Sequence, residues 1–417
     1  MSDAKPARRV ELDFLRGLAL IVMAVGHPIR ANIFEGPIDI DLVRLIMNRY
    51  GELFSGLFMF ISGINVKNFL SSAAKNPDFE ATGFYVKSAV ALFVLGWTYN
   101  LQVQTAMFMD IIQCMALGTL VAYLMLRFRV PTWAMILFVA ALLVAALVIV
   151  GPGPVTHQTM QRVRPYRYWI AMFGPIPWLA YYVYGLVIDR VTSERGKDVL
   201  LYGGIAVFAL GHALPELRGT EPAVHLLKVN ARFVVMSIGL LPAALIACER
   251  WYRGRSKIGK AIEYWGVESL VFLVFHWIWI FYLFYPQLRV QKIAGEGAAV
   301  WFTGLLTLAI MATTVRPIAA LRDRWLRSPN FGRRAWAVLV VAMLGWAFAT
   351  ARVAGLAAKR HLGMADLALT SPSLDPIYVA YVFRQNFAFL AAAAFCFLYP
   401  WLRARFRTSS MRTVARA

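Results

Sequence analysis

Arg16 and His27 stand eleven residues apart inside one apolar run, LRGLALIVMAVGH. If that run is helical, about 100° and 1.5 Å per residue put both on one face, offset by roughly 20° and about 16 Å apart along the axis. A charged or titratable side chain inside a membrane span is costly and is a functional candidate by default. A ligand could run between this pair, with the guanidinium holding a phosphate and the imidazole moving a proton. Blander readings stay open beside it: Arg16 as an anchor whose head reaches the interface, and His27 as a packed histidine bonded to a backbone carbonyl.

Other polar residues in apolar surroundings add to the set. Asp110 lies within a span, and Gln113 follows one helical turn along on the same face. The pair either binds or orients a reacting group or forms a neutralised structural cluster, Asp110 then pairing with Arg384. Pro175 and Pro177 should break a span and aim Trp178 at a cavity, unless they make only an ordinary kink. His276, among Trp277 and Trp279, is a second polar site in a cavity or an interfacial histidine beside an aromatic belt. Ser62, Gly63 and Asn65 would let a ligand or a neighbouring helix approach closely, and small residues in spans most often serve helix contacts. No two His, Cys or carboxylate residues share ligand spacing on one helix, so no metal is expected. Cys114, Cys248 and Cys396 show no C-x-x-C spacing and no disulfide framework.

The elements that must position these residues are membrane helices. The chain has 417 residues, 60% of them hydrophobic and only 16% charged. Soluble proteins are about 45–50% apolar. Apolar runs fall near 12–34, 52–71, 84–103, 105–126, 131–151, 168–189, 199–215, 232–248, 265–286, 297–315, 335–353 and 376–402. An all-α polytopic bundle of about 10–12 transmembrane helices is therefore expected. With the N-terminus inside, 27 basic residues fall on inner segments and 14 on outer ones, which favours both termini in the cytoplasm. The net charge of +21 is thereby explained by topology and anionic headgroups, and nucleic acid is not an expected partner. The expected organisation is a cytoplasmic segment 1–11, one membrane domain 12–402 and a basic tail 403–417, multi-pass in an inner membrane. The first apolar run reads as a retained span rather than a cleaved signal. The stretch 316–334 spaces Ile318, Leu321 and Trp325 helically beside Arg322 and Arg324 and is expected along the inner surface.

Five segments in order resemble the membrane acyltransferase superfamily, which includes acyltransferase family three, the glucan succinyltransferases and the heparan-alpha-glucosaminide N-acetyltransferase-like proteins. ELDFLRGLALIVMAVGH (11–27) is similar to the superfamily's opening, where an Arg, ten residues and a His recur in the first two groups. LFMFISGINV (58–67), MDIIQCMALG (109–118), FGPIPWLAYYVYGLVIDR (173–190) and YWGVESLVFLVFH (264–276) resemble the segments that follow. The resemblance covers about residues 8–285. His27 follows Gly26 where many relatives carry an acidic residue, a departure that bears on which branch the chain joins.

What the resemblance implies is transfer of an acyl group, acetyl or succinyl, from cytosolic acyl-CoA to a hydroxyl or amine of a carbohydrate-like acceptor. Acetyl-CoA is the expected cosubstrate. In that chemistry His27 would be the base and Asp110 would orient it or bind acceptor hydroxyls, while Arg16 would hold the phosphates of CoA. Ser62, Asn65, Gln113, Trp178 and His276 would line the substrate path. Arg162, Arg164 and Arg167 beside Tyr166 and Tyr168 suit a glycan or anionic partner, or equally lipid headgroups. A secondary transporter and a non-catalytic membrane scaffold are the competing readings. A carrier should show two related halves, and no internal repeat is present.

Overall fold

The computed structural model describes residues 9–32, 41–73, 80–100, 109, 111–150, 166–170, 173–214, 231–254 and 256–326. Among them the ordered elements are helices, with no strand. They are α1 (Val10–Asn32), α2 (Asp41–Ala73), α3 (Ala81–Asn100), α4 (Ile111–Arg127), α5 (Thr132–Val150) and α6 (Pro175–Ile188). There follow α7 (Glu194–Asp198), a π-turn (Val199–Gly203), α8 (Gly204–Ala213), α9 (Ala231–Trp251), α10 (Lys257–Val267) and α11 (Ser269–Leu326). Leu53–Ser71, Thr132–Val150, Ala231–Trp251 and Gly297–Arg324 are long and apolar enough to cross a membrane, by length and composition. The protein is a helical membrane protein.

α5 shows how sequence becomes position. TWAMILFVAALLVAALVIV carries no charge. Its buried residues Met135, Val139, Leu143, Ala146 and Val150 recur every three or four positions, and that stripe lies on α6. Few of its residues are buried although it is the most apolar of the candidate spans, so its remaining faces suit hydrocarbon. α6 is the opposite case. All but two of its residues are buried, and it packs against α2, α4 and α5.

Glycine sets the closest crossings. A Cβ on Gly63 would collide with the Tyr182 carbonyl, and one on Gly185 with the Phe60 carbonyl, so α2 and α6 touch backbone to backbone. The α1–α10 crossing is built the same way, Gly17 meeting the Ile262 carbonyl and Gly266 that of Asp13. In lipid, where no hydrophobic force drives helix against helix, such close approach is what van der Waals packing requires.

α11 reverses direction at Gly295, whose φ of 84° and ψ of 169° suit a residue without a Cβ. The reversal follows from an ion pair. Arg322 Nη1 and Nη2 donate to Glu268 Oε2 and Oε1 at 2.5 and 3.0 Å. Along a straight helix those residues would be about 80 Å apart. The run 296–326 therefore returns beside 269–294, and Gly304 reaches Val25 of α1. The sequence expects 316–334 on the membrane surface, but α11 continues unbroken from Gly295 through Leu326. The part to 326 is thus the end of a long helix, held by Arg322, rather than a separate surface helix.

α4 ends in a tight turn. Arg129 takes the left-handed conformation at φ 52°. Its N–H donates to the Leu126 carbonyl and that of Val130 to Met125, the paired bonds of a Schellman cap. Such a conformation costs a non-glycine residue roughly 1 kcal/mol or more. Arg190, just past α6, braces the turn by donating to Thr132 Oγ1 at 2.6 Å and to the Val130 carbonyl at 3.4 Å.

Of the expected spans, 168–189 is divided into a single turn, Arg167–Ile170, and α6, with non-helical angles at Ile176. The run 199–215 is the π-turn plus α8. Runs 335–353 and 376–402, Arg384, the tail and most of 152–167 lie outside the described residues.

Candidate functional site

Arg16 projects from α1 into the crossing that Gly17 and Gly266 make possible. Its Nη1 donates to the Gly266 carbonyl at 3.3 Å, and its Cζ lies 6.0 Å from the Phe58 ring centroid of α2. Nε is buried and has no hydrogen-bond partner. A guanidinium has five donors, and a buried one left unpaired is costly. Asp13, one turn earlier, supplies the nearest opposing charge on the same helix. The site thus holds a cation whose hydrogen-bonding capacity the described protein does not exhaust.

α2 places three of the sequence's candidates. Ser62 donates its hydroxyl to the Phe58 carbonyl at 2.8 Å, so it is engaged with its own helix. Gly63 makes the α6 crossing. Asn65 lies seven residues beyond Phe58, on nearly the same face, and its Nδ2 is buried with no partner. Asn65 Nδ2 and Arg16 Nε are therefore two buried donor atoms without acceptors, on helices that pack together.

The remaining candidates are dispersed. Gln113 is buried in the first turn of α4, where Gly96 of α3 leaves room for its side chain. Trp178 is fully buried among Phe173, Tyr181 and Phe233, at ring distances of 4.9, 5.8 and 5.9 Å. His276 is buried too. Its Nδ1 lies 3.0 Å from the Phe272 carbonyl, to which it donates, and its ring stacks on Phe272. His27 is on α1, and the helix runs uninterrupted from Val10 to Asn32, so the shared face with Arg16 holds for the backbone. The side chain of His27 and the whole of Asp110 lie outside the described residues.

A second cluster was not singled out in the sequence. At one end of the bundle Asp189, which follows α6, accepts from Arg9 Nη1 at 2.5 Å and from Lys67 Nζ at 2.6 Å. Arg9 also reaches Glu11 at 2.7 Å and Glu249 at 3.2 Å, and Glu249 meets Lys197 at 3.5 Å. Arg9, Lys67, Asn68, Asp189, Lys197 and Glu249 line a cleft of about 300 Å³. Burial lowers the affinity of Arg9 for its proton, but Glu11 and Asp189 more than offset it, leaving the pKa above its usual value. Lys197 is also raised, first by Glu249. A sequence signal did exist: Arg9, Glu11, Asp189, Lys197 and Glu249 lie at or just beyond the ends of apolar runs, where the cations gather.

The class is a polytopic helical membrane protein with a half-buried arginine in its first helix. Residues 8–214 match the family model described as "Heparan-alpha-glucosaminide N-acetyltransferase, catalytic". The match supports a membrane acyltransferase-like domain over that stretch and an acetyltransferase-like membrane enzyme. No curated protein and no solved structure matches the chain. The first four resembling segments fall inside the match, and YWGVESLVFLVFH lies beyond it.

Proposed function

We propose that the protein transfers an acetyl group from acetyl-CoA to a hydroxyl or amine of a carbohydrate-like acceptor, the two substrates approaching from opposite faces of an inner membrane. The observation that carries this reading is Arg16: a guanidinium inside the matched stretch, over Phe58, with a buried Nε that has no acceptor. A guanidinium with one buried N–H left without an acceptor favours an anionic ligand, and CoA brings phosphates. Asn65 adds an amide donor suited to a carbonyl of the donor. His27, farther along the face of Arg16, would take the proton from the acceptor as its oxygen or nitrogen attacks the thioester carbonyl. The thiolate of CoA then leaves and the proton passes to bulk. Asp110 would keep His27 in the required tautomer. Gln113, Trp178, Ser62 and His276 complete the set as contributors to the shape of the path.

The test is radiolabelled acetyl-CoA with purified protein in liposomes. Wild type should bind and slowly turn over the donor. His27→Ala should abolish turnover and keep binding, and Arg16→Ala should weaken binding. If wild type neither binds acetyl-CoA nor differs from the variants, the resemblance is one of architecture alone and a carrier becomes the better reading.

A further inference from the structure

We propose that the α4–α5 turn is a binding site for the phosphate of an anionic phospholipid. Several cations at this end of the bundle are already engaged: Arg9, Lys67, Lys197, Arg250 and Arg322 all hold carboxylates. Arg127 and Arg129 differ. Both are exposed, and neither guanidinium meets a carboxylate or a hydrogen-bond acceptor among the described residues. Between them Phe128 is 74% exposed, and Trp133, in the first turn of α5, is 66% exposed. A soluble surface has no use for two large aromatics in one turn of seven residues. A bilayer interface does, since amphipathic rings sit at headgroup level and arginines meet lipid phosphates.

The occupant is a lipid rather than a protein because of what the turn adjoins. It opens directly onto α5, the most apolar and least buried of the candidate spans. The aromatic pair therefore continues a face already suited to acyl chains. The turn is also built to keep its shape. Two Schellman bonds fix it from within, and Arg190 fixes it from α6. The two guanidinium groups thus start from a fixed backbone, which lowers the entropy lost on binding. The left-handed Arg129 is a position where glycine would fit better, so an arginine there adds charge at the expense of local stability.

This inference does not depend on the acyltransfer reading, and its test has no activity readout. Purified protein in detergent is mixed with equal amounts of phosphatidylglycerol and phosphatidylcholine, and retained lipid is counted by native mass spectrometry. Wild type should retain phosphatidylglycerol about tenfold over phosphatidylcholine, a preference that shrinks in high salt. Arg127→Gln with Arg129→Gly should remove most of that preference. Because Arg129→Gly relieves the left-handed strain, the same variant should melt no lower than wild type, which separates lost binding from misfolding. Lys257→Gln with Lys260→Gln removes the same charge elsewhere and should leave the preference intact. Equal loss in both double variants, or no preference in wild type, overturns the proposal. So does displacement of the lipid by millimolar inorganic phosphate, which would make the site one for free anions.

Discussion

At Arg16 the stability of the fold and the binding of a ligand make opposing demands. A guanidinium with a buried N–H left unsatisfied is poor for stability, because that donor keeps its desolvation cost with no hydrogen bond in return. Arg16→Leu should therefore melt at or above the wild-type temperature in detergent. The same variant should weaken acetyl-CoA binding about 10- to 100-fold, or roughly 1.4–2.7 kcal/mol, by equilibrium dialysis. Arg16→Lys should recover only part of that, because an ammonium lacks the planar fork. A melting point several degrees lower for Arg16→Leu would mean that the Gly266 bond matters more than the unpaired Nε. A parallel contrast exists on α2. The Ser62 hydroxyl is taken up by Phe58, whereas the Asn65 amide has no acceptor. Asn65→Ala should raise the KM for acetyl-CoA and lower stability by less than about 1 kcal/mol, since no protein hydrogen bond to Nδ2 is lost. Ser62→Ala should leave KM unchanged. The sequence made Arg16 legible because a charge in an apolar run is visible to the eye. It gave no way to separate Ser62 from Asn65, since their difference lies in which acceptor each finds, and that depends on packing.

At the scale of the element, the decisive residues are those with least side chain. Gly63 and Gly185 let α2 and α6 meet at their backbones, so Gly63→Val should force the helices apart and cost roughly 1–3 kcal/mol, read as a lower thermal midpoint. Gly203, which has open space around it, provides the control: Gly203→Ala should be neutral or slightly stabilising. Equal effects at the two sites would mean that the α2–α6 crossing is looser than its geometry. Helices themselves were readable from hydropathy: α1, α3, α5 and α9 fall where the apolar runs place them, while α2 starts at Asp41, well before its run, and α4 at Ile111, some residues into its own. What hydropathy could not convey was interruption and continuation. Ile176 leaves helical angles where proline limits its neighbours, while α11 runs on past the arginine that ends its apolar stretch, because Arg322 finds Glu268. Both outcomes depend on partners distant in sequence, which a running average of hydropathy does not sample.

For the whole molecule, the charges that orient the chain also fasten it. The count of basic residues predicts which end faces inward, and at that end Asp189 joins α1 and α2 to the close of α6, while Glu249 brings in α9 and Lys197. Asp189 is the centre of this arrangement, with its side chain only 7% exposed and two cations on it. Asp189→Asn keeps the shape but leaves Arg9 and Lys67 with less compensation. Breaking a fully buried pair costs about 3–5 kcal/mol. Here Arg9 and Lys67 are 28% and 34% exposed, so water recovers much of the loss, and roughly 1–2 kcal/mol is expected. The outer member Glu194, 74% exposed, should tolerate Glu194→Gln with no measurable change. Thermal unfolding in detergent at low and high salt checks the contrast. A midpoint several degrees lower for Asp189→Asn alone, with the gap narrowing little in salt, identifies a partly buried hub that closes this end of the bundle. A gap that vanishes in salt would instead make the cluster a solvated surface, and the α2–α6 and α1–α10 crossings would have to hold that end by packing alone.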